Sequence, residues 1–275
     1  MNPRKISLIN QKGGVGKTSS CRNLGWYMAE QGYKTLLIDL DSQGNLSKSF
    51  FPEEALGQGT YEALTGGKVT LMQVKERLEL LSGDSRLAAL EKQLVAELDG
   101  PLRLRELLAK GEFKAYDFIF MDCPPSLGML SSNGLAAADN LIVPLNCSLF
   151  SMQGTNDLLK AVKTIKRLFN PDLELLGFLI NETNPVPVIE KQINEEIRET
   201  FTEKVFKREV SRCVKLEEAI ALSVGVTALN GKGTEKIKAE VEALGREILE
   251  RLGMTVRQPA INTLSAGQGS VYEQG

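Results

Sequence analysis

A doubly wound α/β fold, with a mostly parallel sheet flanked by helices, is predicted by three features of the sequence. Apolar runs of strand length recur without apolar–polar alternation, helical stripes at spacings of three and four lie between them, and strand and helix patterns alternate along much of the chain. The composition, 42% hydrophobic and 25% charged over 275 residues, is that of an ordinary globular protein with one large core. A single domain is expected over residues 1–254, followed by a tail over 255–275.

The runs are KISLIN (5–10), TLLIDL (35–40), LELLS (78–82), DFIFMD (117–122), NLIVPL (140–145) and LLGFLIN (175–181). Short, continuous and rich in Ile, Leu and Val, they suit strands covered on both faces. Cys21, Leu24 and Met28 form one helical stripe, and Leu158, Val162 and Ile165 form another. The stretch from 52 to 112 is less regular. Within it GDSRLAALEKQLVAEL and PLRLRELLAKG read as helices, the second opened by Pro101 and closed by Gly111. Residues 205–232 are mixed, and GTEKIKAEVEALGREILERLG makes a closing helix. The last stretch, TVRQPAINTLSAGQGSVYEQG, lacks periodicity and is expected to be mobile. There are no internal repeats.

Composition also excludes function classes. The formal charge is −2, so any binding to nucleic acid must come from a local basic patch. Cys21, Cys123, Cys147 and Cys213 lack C-x-x-C spacing, which argues against zinc or a disulfide framework. No signal peptide is visible, and no apolar run approaches the ~18 residues of a membrane span. A cytoplasmic protein is the expectation. The start MNPRK leaves no room for an N-terminal helix-turn-helix, so sequence-specific operator binding is not expected.

The chemistry concentrates in NQKGGVGKTSS, residues 10–20, between the first strand and the first helix. Gly13, Gly14 and Gly16, with Val15 among them, let the backbone curl so that N–H groups point at phosphate oxygens, and the helix dipole adds partial positive charge. In such a phosphate-binding loop Lys17 neutralises the β- and γ-phosphates, the Thr18 hydroxyl coordinates Mg²⁺, and Ser19 follows in the first turn. The template's first glycine is replaced by Gln11, and a second lysine, Lys12, stands five residues before Lys17.

Hydrolysis of a nucleoside triphosphate also needs carboxylates near the metal, and two strand ends offer them. LLIDLDSQGN supplies Asp39 and Asp41, and FIFMDCPPS supplies Asp122. Parallel strands share one C-terminal edge, where ligands bind. Asp122 is the candidate for holding Mg²⁺, through water. Asp41, in the loop beyond its strand, is the candidate for orienting the attacking water beside the metal. Asp39 suits the common role of a loop acid or helix cap.

Together KGGVGKT, DLDSQGN and DCPPSLG resemble the deviant-Walker P-loop ATPases, the ParA/MinD group of partitioning and positioning proteins. The resemblance continues in PLNCSLFSMQGTNDLLKAV and VFKREVSRCVKLEEA and covers most of residues 4–252. It implies ATP and Mg²⁺ as ligands and a weak, partner-stimulated ATPase. It also implies a homodimer that sandwiches ATP, with Lys12 reaching the partner's phosphates. A cation delivered in trans, by analogy with an arginine finger, is worth ~10³–10⁵ in rate where geometry is ideal. For adenine it points to Asn181 and to Ser211 with Cys213. The chain departs from the family there, with Ser and Cys where Pro and Asn are usual, and it has Ser42 where Pro is usual.

The resemblance leaves the output surface open between a ParA-like dimer that binds DNA without sequence preference and a MinD-like protein on a membrane. The DNA candidates are Lys204, Lys207, Arg208, Arg212 and Lys215, joined by Lys232 and Lys236 as helpers, with Glu203, Glu209, Glu217 and Glu218 interleaved. Lys215 matches a basic position used for DNA in the family, whereas NETNPVPV replaces an arginine of its relatives. A membrane reading would need a terminal amphipathic helix with a basic face. The closing helix instead mixes Glu235, Glu240, Glu242, Glu247 and Glu250 into its polar side, so core packing is expected and no stable membrane insertion. A cluster-carrying relative of the nitrogenase iron protein would need cysteines in glycine-rich ligand loops, which are absent. Lys160, Lys163, Lys166 and Arg167 are expected to be a solvated helix face. The expected partners are therefore a second copy, DNA, and a ParB-like or cargo-adaptor protein.

Overall fold

The computed structural model describes residues 2–147, 151–183 and 188–257. Its strands are β1 (Arg4–Leu8), β2 (Thr35–Asp39), β3 (Met72–Lys75), β4 (Leu78–Leu81), β5 (Phe118–Asp122), β6 (Asn140–Asn146), β7 (Glu174–Thr183) and β8 (Val210–Ser211). They form one sheet in the order β3-β4-β2-β5-β1-β6-β7-β8, parallel throughout except for the β3–β4 pair. All six expected strands are present. The two additions, β3 and β8, lie at the sheet's edges, where half-exposed or very short segments leave no apolar run to read.

The helices are α1 (Lys17–Glu30), α2 (Asn45–Lys48), α3 (Thr60–Thr65), α4 (Leu87–Leu94), α5 (Arg103–Leu108), α6 (Met129–Ala137), α7 (Ser151–Leu168), α8 (Val188–Phe201), α9 (Val214–Ala221) and α10 (Glu235–Arg251). Most inner strands divide their apolar side chains between two cores. Ile119 and Met121 of β5 face a layer that includes α4–α8, while Phe118 and Phe120 face a layer built on α1, α9 and α10. Burial on both faces explains the missing alternation.

The expected helix from Pro101 to Gly111 is divided. Pro101 lies in a 3₁₀ turn over Gly100–Leu102, α5 begins only at Arg103, and Gly111 opens a further 3₁₀ turn. Asn133 of α6 explains the break, since its Oδ1 accepts the Leu104 N–H and its Nδ2 donates to Gly100 O.

The apolar stripe of α10, Ile237, Val241, Leu244 and Ile248, is buried in the α1 layer, so this helix is a core element. No helix among the described residues is long and apolar enough to cross a membrane. After α10 the chain is fastened as far as Arg257. Tyr33 Oη donates to Thr255 O, and Arg257 forms two hydrogen bonds with Asp117 while lying over the Tyr33 ring. The remainder of the expected mobile tail, 258–275, lies outside the described residues, as does 184–187 of the NETNPVPV loop.

Candidate functional site

The glycine-rich loop springs from β1 near the middle of the sheet and is tied down on both sides. Asn10 Nδ2 donates to Pro144 O (2.7 Å) and Asn10 Oδ1 accepts the Lys12 N–H (3.0 Å), which fixes the loop's start to β6. From β7, Asn181 Nδ2 donates to Val15 O (3.1 Å) and Ser20 Oγ (2.8 Å). Gly16 has φ +79°, and a Cβ there would lie 2.7 Å from Asn181 Nδ2, so conformation and close approach both demand glycine. Gly16 caps α1 without a side-chain acceptor, which leaves the first-turn N–H groups available to an anion.

Lys17 is buried, and its Nζ donates to Lys12 O (3.2 Å). Thr18 Oγ1 donates to Asp122 Oδ2 (2.6 Å). The other oxygen, Asp122 Oδ1, is buried and has no hydrogen-bond partner. Parallel pairing sets Asp122 beside Asp39 in register, and Asp41 is buried just beyond. Burial and the neighbouring Asp39 push the Asp122 carboxyl well above its ordinary range, against the Thr18 hydrogen bond and Lys17. Burial also lowers the Lys17 ammonium, opposed by Asp122, Cys123 and Asp41. One desolvated ammonium thus faces the buried carboxyls of Asp122 and Asp41, with Asp39 beside Asp122, an imbalance that a divalent cation would relieve.

Asp39 is engaged in structure. Its Oδ2 accepts the Ser47 N–H (2.9 Å) and hydroxyl (2.7 Å), its Oδ1 accepts the Asp41 N–H, and burial lifts its pKa to about 6. Asp39 therefore shapes the loop that carries Asp41. Asp41 Oδ1 in turn accepts the Gln43 N–H (2.9 Å). A cavity of about 560 Å³ joins this loop to the glycine-rich loop, with Gly13, Gly14, Lys17, Thr18 and Asp41 in its walls. A divalent cation here would have the Thr18 hydroxyl in the cavity wall, with the Asp122 carboxyl behind it, hydrogen-bonded to that hydroxyl.

The other expected site residues are distributed as follows. Lys12 Nζ donates to Asn146 Oδ1 (3.2 Å) at the end of β6. Asn181 and Ser211 line a second, narrow cavity of about 30 Å³ beside Ser19, little more than room for a water. Ser211 is already committed, since Glu240 accepts both its N–H (2.8 Å) and its hydroxyl (2.7 Å). Cys213 is half-buried at the N-cap of α9 and does not line that cavity.

The five basic candidates do not form one compact patch. Lys204 lies beside Gly177, with its Nζ on Leu175 O, whereas Ser211 pairs with Thr183, so the segment runs roughly 20 Å along the β7 edge at ~3.3 Å per residue. Lys204, Lys207, Arg208 and Arg212 are exposed, and Lys215 is ion-paired with Glu218 (2.7 Å).

Sequence reasoning missed Asn10 and Asn146, which hold the Lys12 segment, Ser47, which holds Asp39, and Arg22. The signal for Arg22 was a charge between Cys21 and Leu24 on a helix that the core surrounds.

A family profile described as an AAA domain matches residues 3–175. The chain is 35% identical over 254 residues to the chromosome-partitioning ATPase Soj of Treponema pallidum, covering 91% of this chain and 98% of that one. It is 35% identical to the chromosome partitioning protein ParA of Myxococcus xanthus, covering 90% and 88%. Among solved structures, Mycobacterium smegmatis cobyrinic acid a,c-diamide synthase with bound ATP analog and magnesium superposes with a TM-score of 0.79 at 28% identity, over 94% of this chain and 99% of that one. The ATP complex of a Cyanothece McdA point variant gives 0.80 at 19% identity, over 92% and 98%, a likeness of fold.

Proposed function

The chain belongs to the AAA-domain family and to the Soj/ParA partitioning ATPases; from that premise we propose that it hydrolyses ATP with Mg²⁺, pairs face to face with a second copy when ATP is bound, and as that dimer binds DNA without sequence preference to segregate DNA or position a cargo. The observation that carries the reading is the Thr18–Asp122 hydrogen bond, which leaves a buried carboxylate oxygen free beside Lys17 at the start of α1.

The residues divide the work. Loop N–H groups and Lys17 hold the phosphates, and Lys17 is kept on station by the Lys12 carbonyl. Thr18 and Asp122 hold Mg²⁺, which supplies charge neutralisation at the phosphates when bound. Asp41, on a loop shaped by Asp39 and Ser47, orients the attacking water and accepts its hydrogen bond. Lys12 leaves Asn146 to reach the phosphates of the second copy, so the cation completes a site only when two chains meet. Without a partner the chain turns over slowly, and a ParB-like or adaptor protein accelerates it and releases the dimer from DNA. Asn181 borders the base, and the backbone of Ser211 and Cys213 borders it once the narrow cavity beside Ser19 widens and Glu240 releases the Ser211 N–H. Arg208, Arg212 and Lys215, with Lys204 and Lys207 farther along the edge, supply the phosphate contacts to DNA. Such a protein resides in the cytoplasm and on the nucleoid when ATP is bound. The burial of α10's apolar stripe supports DNA over a membrane as the output.

Co-sedimentation with duplex DNA and with anionic liposomes, with ATP and with ADP over a salt series, tests the reading. ATP-dependent DNA binding that weakens steeply with salt is expected. Liposome binding alone, or neither, would overturn the DNA assignment.

A further inference from the structure

Arg22 is the largest fully buried side chain of the described protein, about 1% exposed, on the helix that carries the phosphate-binding loop. A guanidinium is costly to desolvate, and among the described residues no carboxylate within ion-pair distance compensates it. Nε donates to Ser49 Oγ (3.1 Å), Nη2 donates to Ala219 O (2.9 Å) and approaches Ser49 O (3.4 Å), and Nη1 is buried without a hydrogen-bond partner. The plane lies over the Phe50 ring (4.6 Å), and burial lowers its pKa to about 10. An apolar residue would fill this position without that cost, so what the arginine adds is the connection among the elements it touches.

Those elements are the ones the proposed cycle needs to move together. Ser49 closes α2, which Ser47 fixes to Asp39, and α2 starts four residues after Asp41. Ala219 lies in the last turn of α9, whose first turn carries Lys215. That turn is closed by backbone hydrogen bonds, from the Ser223 N–H to Ile220 O and from the Leu222 N–H to Glu218 O, and Arg22 adds a side-chain donor to it. Its reversal passes through Ser223 at φ +54°, and Ala219 O accepts the Val224 N–H as well as Arg22. A cation at a helix C-terminus is favourable both as donor and through the helix dipole. Ile220 and Arg22 also line the same cavity as Lys17 and Asp41.

We infer that Arg22 is a positioning residue that couples the Asp41–α2 loop to α9, so that the pose of α9 reports which nucleotide is bound. The inference rests on ATP being the ligand of this cavity. It does not require that α9 bind DNA. A ligand that reorders the Asp41 loop pulls on Ser49, and the guanidinium transmits the displacement to the end of α9. Arg22 lines the ligand cavity itself, so the two ligands are compared at saturation, where a change in affinity does not enter the readout.

Hydrogen exchange of the full-length chain, compared between ADP and a slowly hydrolysed ATP analogue with Mg²⁺, tests this. In the parent, amides of 214–224 are expected to differ at least fivefold in protection between the two ligands. In Arg22→Met, with both ligands held at saturation, that ratio is expected to fall to about one while residues 41–49 still respond. A merely structural role would loosen α9 equally in both states and keep the ratio, which would overturn the inference. No ligand response of α9 in the parent would overturn it without any variant. Should Arg22→Met fold poorly, Ser49→Ala removes the acceptor of Nε, together with the hydroxyl's own bond to Leu46 O, and is expected to reduce the ratio; an unchanged ratio there counts against the inference. A ligand-responsive, Arg22-dependent α9 in a chain that ignores DNA would leave the coupling standing and remove only the DNA assignment.

Discussion

Lys12 and Lys17 meet backbone to side chain: the Lys12 carbonyl accepts the Lys17 ammonium at 3.2 Å, while the Lys12 ammonium reaches away to Asn146. One lysine is thus oriented by the peptide of the other, and the Lys12 side chain can leave without disturbing Lys17.

The two lysines should therefore separate cleanly on mutation. Lys17→Ala is expected to weaken ATP binding by roughly 10- to 100-fold, the scale of a charge-assisted hydrogen bond. Lys12→Ala keeps the carbonyl, so ATP affinity of the monomer should change by less than about threefold while the ATP-dependent dimer disappears. Isothermal titration paired with sedimentation velocity reads both. A Lys12→Ala protein that dimerises as well as the parent would remove the role in trans.

Acidity should stabilise the ligand-free protein. Unfolded carboxyls ionise near 3.8, whereas folded Asp39 keeps its proton to about 6 and Asp122 is likewise raised. Between those values the folded chain binds more protons than the unfolded one, so stability falls as pH rises through that window and stays lower above it. The melting temperature without nucleotide should be higher at pH 5 than at pH 7. Asp122→Asn should flatten this slope and raise stability at pH 7, yet lower Mg²⁺-dependent hydrolysis about 10²-fold. An equal slope in parent and variant would remove Asp122 from the account.

Along the β7 edge the basic residues should contribute unequally. Arg208→Ala and Arg212→Ala are each expected to reduce the slope of log affinity against log salt by about one. Lys204→Ala, at the far end with its ammonium on Leu175 O, should reduce it least. Glu218→Gln frees Lys215 from its ion pair and should tighten binding. Fluorescence anisotropy with a labelled duplex across a salt series measures all four.

Ser223 occupies left-handed backbone at φ +54° just past α9. Glycine takes that conformation without strain, and Ser223→Gly should raise stability by about 0.5–1 kcal/mol. Denaturant unfolding gives the sign directly. A loss of stability would mean that the serine side chain supports the turn.

What could be read in advance follows from how local each signal is. The loop glycines, Lys17 and Thr18 are contiguous, and Asp39 and Asp122 each close an apolar run, so a strand-end argument brings them to one edge. Arg22 finds Ala219 across 197 residues and Asn181 finds Val15 across 166, and such partnerships leave no periodic trace. Pro101 misled for a related reason: Asn133, from another helix, satisfies the backbone that proline was expected to start. The edge strand β3 has a half-exposed pattern with no apolar run, and β8 is two residues long.

β1 has four strands on one side and three on the other, and α1 is enclosed along most of its length. The seat of the ligand is therefore rooted in the part of the molecule that unravels last, and product cannot escape by softening the seat. Turnover must instead be paced by the rim, as in a vice with one fixed jaw, where the movable jaw alone decides when the workpiece is let go.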